Sequence, residues 1–251
     1  MRLKRRHIIL SAALALPFAS PGLSWAQGQG QAGSGKAAAG APVVLAAGLS
    51  LANAQAAPAS GKASAAAPVV LVVGDSLSAE YGIARGTGWV ALLEKRLAEQ
   101  KLPARVINAS ISGDTTSGGR ARLPGLLSQH KPDVVVLELG ANDALRGLPL
   151  KGTEDNLQQM TQASKAIGAK VLLVGIQVPP NYGSDYTRRF GEIFPRVARN
   201  TQSGLVRFLL HNVAHAPEAA SLFQADRIHP LASAHPRMLD NVWPELRKLL
   251  R

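Results

Sequence analysis

The chain has 251 residues, with 28 Lys and Arg against 16 Asp and Glu, 46% hydrophobic residues and no cysteine, which suits a globular protein with a sizeable core rather than a disordered or collagen-like chain. Without cysteine there is no disulfide framework, thiolate metal site or cysteine nucleophile, so any nucleophile has to be an oxygen or a lysine. The formal charge of +12 does not point to nucleic acid: four of the cations lie in the first six residues, the rest form no basic run, and aromatic residues make up 4%, too few to stack bases.

Residues 1–26 read as a secretory signal, with the basic start Arg2, Lys4, Arg5 and Arg6, an apolar stretch over 8–19 and Ser24-Trp25-Ala26 at the cleavage position. The Arg5-Arg6 pair also permits twin-arginine export. An exported protein, periplasmic or secreted, is expected. Residues 27–67 are almost entirely Ala, Gly, Ser, Gln and Pro, with Lys36 and Lys62 as their charges, and read as a disordered linker. Within them the apolar run 42–51, followed by Ala54-Gln55-Ala56, imitates a second signal core, so the mature start is expected at residue 27 or further in. The folded unit then covers residues 68–251, of single-domain size, and contains no apolar stretch long enough to span a membrane.

Residues 69–73 form an apolar, β-branched run ending at Gly74, as in a strand buried on both faces of a parallel sheet. Trp89, Val90, Leu92, Leu93 and Leu97 recur at helical spacing; 105–108 reads as a strand, 119–129 as a short helix and 134–139 as a central strand. A helix over 154–167, a strand over 170–175, a helical segment over 185–201 broken at Pro195, a fifth strand over 205–210 and a closing helix over 234–250 follow. This alternation predicts an α/β fold, a three-layer α/β/α sandwich around a five-stranded parallel sheet. Chemistry in such a fold collects at the carboxyl ends of the strands.

Polar clusters stand at those ends. Gly74-Asp75-Ser76-Leu77-Ser78 follows the first strand, Ser112-Gly113-Asp114-Thr115-Thr116 the second and Gly140-Ala141-Asn142-Asp143 the third, with Asp226-Arg227-Ile228-His229-Pro230 near the C-terminus. A serine hydroxyl needs a base to take its proton, and a histidine oriented by a carboxylate is the usual solution. Three positions apart in a tight turn, Asp226 can hold one ring nitrogen of His229 and leave the other to face Ser76. The charge that develops on an attacked carbonyl needs donors already in place; the backbone N–H groups of Ser76 and Gly113 and the amide of Asn142 are candidates. Asp75 and Asp143 are expected to hold their loops by hydrogen bonding. His211 and His215 lack the intervening Glu of a metalloprotease helix, and the glycines over 113–119 lack the Lys-Ser/Thr of a phosphate loop, so neither a metal nor a nucleotide cofactor is expected. The cluster at Ser76 also lacks the second glycine of the G-x-S-x-G elbow.

As an ordered set, Gly74-Asp75-Ser76-Leu77-Ser78, Gly113-Asp114-Thr115, Gly140-Ala141-Asn142-Asp143 and Asp226-x-x-His229-Pro230 resemble the blocks of the GDSL, or SGNH, hydrolases. Ser78-Ala79-Glu80-Tyr81-Gly82, Leu145-Arg146-Gly147 and Val178-Pro179-Pro180-Asn181-Tyr182-Gly183 are similar to the thioesterase, lysophospholipase and arylesterase branch. The resemblance covers residues 68–251. It implies a flavodoxin-like sheet, Ser76 as nucleophile, His229 as base, Asp226 as its orienter, and Ser76, Gly113 and Asn142 as the oxyanion hole. Ala141 stands where thioesterase members tend to have a second glycine, and residues 211–224 do not follow a familiar pattern; both bear on which acyl chain fits.

The expected function is therefore a metal-independent serine esterase acting on acyl esters or thioesters, lysophospholipids and aryl esters included, through an acyl-enzyme. Its partners are small-molecule or lipid substrates, with at most transient contact at a membrane surface. A carbohydrate O-acetyl esterase and a non-catalytic binding module on the same fold are the rival readings. The loop over 177–185 is expected to line the acyl path through Val178, Pro179, Pro180 and Tyr182.

Overall fold

The computed structural model describes residues 67–178 and 180–251; the signal reading of 1–26 and all but the last residue of the linker lie outside the described residues. The chain enters strand β1 (Val69–Gly74) and continues through α1 (Trp89–Glu99), β2 (Arg105–Asn108), α2 (Thr116–His130), β3 (Val134–Glu138), α3 (Ala141–Leu145), α4 (Leu150–Ala166) and β4 (Lys170–Val174). A 3₁₀ turn (Pro180–Tyr182) leads to α5 (Ser184–Gly191), α6 (Ile193–Thr201), β5 (Gly204–Val206) and α7 (His235–Leu249). The five strands pair in the order β2-β1-β3-β4-β5, all parallel. Val70 to Val73 and Val135 to Leu137 are inaccessible to solvent, as the apolar runs predict for strands covered on both faces.

Helices α1 and α7 pack against each other, and α2, α4 and α6 form the other layer. The short α3 and the break between α5 and α6 depart from the expected elements. Pro195 does not break the helical segment. The interruption falls at Glu192, and Pro195 occupies the third position of α6, within the first turn, whose N–H groups have no intrahelical acceptor, so a missing one costs little. Pro124 is tolerated inside α2. The fifth strand is three residues long rather than six, because the chain turns away after Val206: Leu209 N–H donates to the carbonyl of Gly175, beyond β4.

The consequence for function is topological. Strand β1 lies between β2 and β3 in the sheet, so the crossovers on its two sides run in opposite directions and a crevice opens at its carboxyl end. The loops leaving β1, β2 and β3 carry Ser76, Gly113 and Asn142.

Candidate active site

The turn after β1 is wound by Asp75. Its carbonyl accepts from Ser78 N–H at 3.2 Å and Ala79 N–H at 2.9 Å, and its carboxylate accepts from Leu77 N–H at 3.0 Å. Ser76, half-buried, is thereby presented at the edge of the sheet. Its Oγ lies 2.9 Å from His229 Nε2, and His229 Nδ1 lies 2.7 Å from Asp226 Oδ2. A carboxylate can only accept, so Nδ1 carries the hydrogen and Nε2 is left as acceptor for the serine proton.

The loop bearing this pair is self-braced. Asp226 Oδ1 accepts from the N–H groups of Ile228 at 2.9 Å and His229 at 3.0 Å, Gln224 N–H donates to the His229 carbonyl at 2.8 Å, and Phe223 bridges to Pro230. The hydrogen bond from His229, followed by the two backbone donors, holds the Asp226 carboxyl down to about 2, so it stays ionised as an orienter must. Tyr81 lays its ring beside the imidazole, with centroids 4.4 Å apart.

The expected oxyanion donors lie on two further segments. Gly113 sits at φ +80°, a conformation that L side chains avoid. Neither its N–H nor that of Ser76 donates to another described residue, which leaves both free for a ligand. Asn142, on α3, donates from Nδ2 to the Asp114 carbonyl at 3.0 Å and to Asp75 Oδ2 at 3.3 Å, so its nitrogen, not its oxygen, faces the serine loop. Hydrogen bonds thus join the sequence-predicted Ser76, His229 and Asp226 and tie Asn142 to Asp75 beside the serine and to the Asp114 carbonyl, one residue after Gly113. Asp143 is buried and accepts from Thr116 N–H at 2.8 Å, from the Thr116 hydroxyl and from Thr153 Oγ1 at 3.3 Å, holding the start of α2 in its expected bracing role.

The 177–185 loop only partly matches its expectation. It leaves the carboxyl end of β4, but Val178 is buried among the core residues and offers no open apolar surface. Tyr182, 37% exposed, stacks with Tyr186 at 6.4 Å and presents the apolar face instead. Pro179 lies outside the described residues. Two clefts lie away from these residues: one of 210 Å³ between α4 and the α5–α6 pair, and one of 810 Å³ lined by Leu127, Asp133 and Ile167, near the amino edge of the sheet. Hydrogen-bond geometry marks the site.

Three supporting residues had no role assigned to them from the sequence. Arg122 of α2 donates to Asp114 Oδ2 at 2.8 Å, to the Ala109 carbonyl and to the Gly74 carbonyl at 3.5 Å, tying together the ends of β1 and β2. Arg146 donates to the Gly113 carbonyl at 2.7 Å. Glu138, at the end of β3, accepts from Ser78 Oγ at 2.7 Å. Arg146 stood in the Leu145-Arg146-Gly147 block and Glu138 was visible as an acidic residue inside an otherwise apolar strand, while Arg122 left no signal.

The chain has relatives among known proteins. Residues 72–236 match the GDSL-like Lipase/Acylhydrolase family. The chain belongs to that family. Esterase TesA of Pseudomonas aeruginosa is 52% identical over 175 residues, covering 70% of this chain and 86% of that one. An arylesterase of Vibrio mimicus is 46% identical over the same shares of the two chains, and thioesterase 1/protease 1/lysophospholipase L1 of Escherichia coli K12 is 41% identical over 70% of this chain and 81% of its own. A crystal structure of TesA superposes with a TM-score of 0.70 at 51% identity, covering 72% of this chain and 99% of that one. Like other members of the GDSL-like family, the chain is an ester-hydrolysing enzyme with a five-stranded α/β fold.

Proposed function

We propose that the protein is an exported serine esterase that cleaves acyl esters and thioesters through an acyl-enzyme formed on Ser76. The observation that carries this reading is the hydrogen-bonded chain from Ser76 Oγ to His229 at 2.9 Å and on to Asp226 at 2.7 Å. Ser76 Oγ attacks the carbonyl carbon while its proton passes to His229 Nε2; Asp226 stabilises the resulting imidazolium and takes up no proton itself. The tetrahedral oxyanion is met by the N–H groups of Ser76 and Gly113 and by Asn142 Nδ2, whose 3.3 Å bond to Asp75 is the longer of its two and the one to exchange for the oxyanion. His229 then returns its proton to the departing alkoxide or thiolate. A water activated by His229 hydrolyses the acyl-enzyme by the same steps in reverse.

A longer acyl chain rather than an acetyl group is favoured by what surrounds the serine. Tyr81, Ile111, Leu145 and Ile228 are exposed on the loops that carry the site, a surface that an aliphatic chain can cover. Relatives whose names include arylesterase, thioesterase and lysophospholipase favour the same breadth of leaving group. Export rests on the signal reading of residues 1–26, and among the described residues no helix is long and apolar enough to cross a membrane.

Turnover of p-nitrophenyl esters from acetyl to palmitoyl, run beside lysophospholipid and acyl thioester, tests the reading. Ser76→Ala is expected to abolish turnover of all of them with an unchanged circular dichroism spectrum, and an organophosphonate is expected to label Ser76. An adduct on Ser78, or labelling absent from active enzyme, refutes the assignment. Turnover of acetyl esters alone would return the reading to a deacetylase.

A further inference from the structure

Behind the serine loop two acidic side chains are buried together. Asp75 and Glu138 are both inaccessible to solvent and within side-chain hydrogen-bond reach of each other. Strand pairing sets Gly74 of β1 opposite Glu138 of β3, and the fit is close: a Cβ at Gly74 would stand 2.8 Å from Glu138 Oε2 and from Ser78 Oγ. Glycine at 74 therefore makes room for this acid.

The donors around Glu138 suggest where its hydrogens lie. Trp89 Nε1, which can only donate, donates to Ser78 Oγ at 3.2 Å, leaving the single Ser78 hydroxyl hydrogen to go to Glu138 Oε2 at 2.7 Å. The same oxygen accepts from Asp75 N–H at 3.4 Å. Glu138 Oε1 is buried with no N–H or O–H donor among the described residues. An ionised oxygen left in that position would be desolvated and unpaired, at substantial cost. A proton on it instead gives the acid a hydrogen to donate to Asp75, whose carboxylate already accepts from Leu77 N–H and Asn142 Nδ2.

We propose that Glu138 holds the proton of a buried acid pair with Asp75, and that in this neutral form it is a positioning residue for the loop carrying Ser76 and for the amide of Asn142. The proposal rests on the esterase reading for its consequence, though not for the proton itself. The pair would carry one negative charge, seated on Asp75, where it orients Asn142 Nδ2. A second charge on Glu138 would lie behind the place where the oxyanion forms and oppose it. The titratable groups facing the pair are His229 from the 226–229 loop and Asp114 from the loop after β2, with Asp114 itself paired to Arg122; α1 contributes the uncharged Trp89 indole. Burial is the largest influence on both acids: it pushes Glu138 well above the usual carboxyl range, with the Asp75 charge adding to it, and Asp75 up to about 6.

Infrared spectroscopy of the unliganded protein near pH 7 tests the assignment, because a buried protonated carboxyl gives a C=O band that an ionised carboxylate lacks. Wild type and Ser76→Ala are both expected to show this band, and Glu138→Gln, which offers the same donor and acceptor without an ionisable proton, to lack it. In turnover, Glu138→Ala is expected to lose up to about 10²-fold in kcat, the cost of a small misplacement of reacting groups, with KM little changed, while Glu138→Gln recovers most of that loss. Absence of the band in wild type, or its survival in Glu138→Gln, overturns the shared proton. A folded Glu138→Gln as impaired as Glu138→Ala overturns the neutral positioning role. Should Glu138→Ala fail to fold, the band and the turnover of Glu138→Gln against wild type decide alone. Because the spectra are recorded without substrate and include Ser76→Ala, a wrong nucleophile leaves the band in place and a wrong acid pair leaves Ser76 labelling intact.

Discussion

His235 makes the fold acid-sensitive, and the size of the effect can be worked from its surroundings. Helix α1 opens at Trp89 behind Gly88, which has no side chain with which to cap it; the cap comes from 146 residues away, where His235 Nδ1 accepts from Trp89 N–H at 3.0 Å. The imidazole is buried, and burial lowers its pKa from the ordinary 6.5 to about 4. A protonated ring has no acceptor to offer Trp89 and adds a buried charge whose desolvation Glu80 and the Pro230 backbone only partly offset. With the folded value below the unfolded one, this contribution is whole above about pH 6.5 and is lost as the pH falls towards 4. The gap corresponds to about 3 kcal/mol, against a typical domain stability of roughly 5–15 kcal/mol. Asp75 and Glu138 work in the opposite sense: the Asp75 carboxyl is raised to about 6 and that of Glu138 well above its ordinary value, so each costs stability as the pH rises past its unfolded value, and wild type alone would show these effects superposed. Urea unfolding of wild type and His235→Asn at several pH values from 7 to 4 separates them, since Asp75 and Glu138 are common to both. Asparagine retains an acceptor near the Nδ1 position and has no proton to gain. The stability difference between the two proteins should shift by about 3 kcal/mol in favour of the variant across that range. A difference that stays constant with pH would mean that His235 does not titrate in the fold and that the cap is not what burial protects.

Two further outcomes are expected at the site. Asn142→Ala should lower kcat by about 10²–10³-fold while changing KM much less, since the amide meets the oxyanion rather than the ground-state carbonyl; a near-normal kcat would remove it from the oxyanion hole. Replacing Pro179, Pro180 and Tyr182 with glycine should reduce kcat/KM progressively with acyl length, by up to roughly 0.8 kcal/mol for each methylene left uncovered, and leave acetyl esters almost untouched. A uniform loss from acetyl to dodecanoyl would make the loop a support for the fold, and an unchanged profile would make it a bystander.

The sequence by itself determined the alternation of elements and the chemistry at the strand ends. Wholly apolar runs such as residues 70–73 and 134–137 have one stable setting, a sheet covered on both faces, and the loops that follow such strands fall on one edge. Local turn chemistry was equally legible: Asp226 and His229, three positions apart, meet within their own turn. What depended on distant partners was not. The fifth strand ended early because Leu209 pairs with the Gly175 carbonyl rather than continuing the ladder, and Val178 is buried by packing that no local pattern reveals. The direction of the Asn142 amide is set by Asp114 and Asp75, 28 and 67 residues away. Glu138 is the sharpest case. Its presence in an apolar strand was visible, but its surroundings depend on β1 and β3 lying side by side, on the missing side chain at Gly74, and on a Trp89 indole that fixes where the Ser78 hydrogen points. Periodicity specifies which face of an element is buried; which polar atoms meet there, and so which of them can hold a proton, is decided when the chain closes on itself.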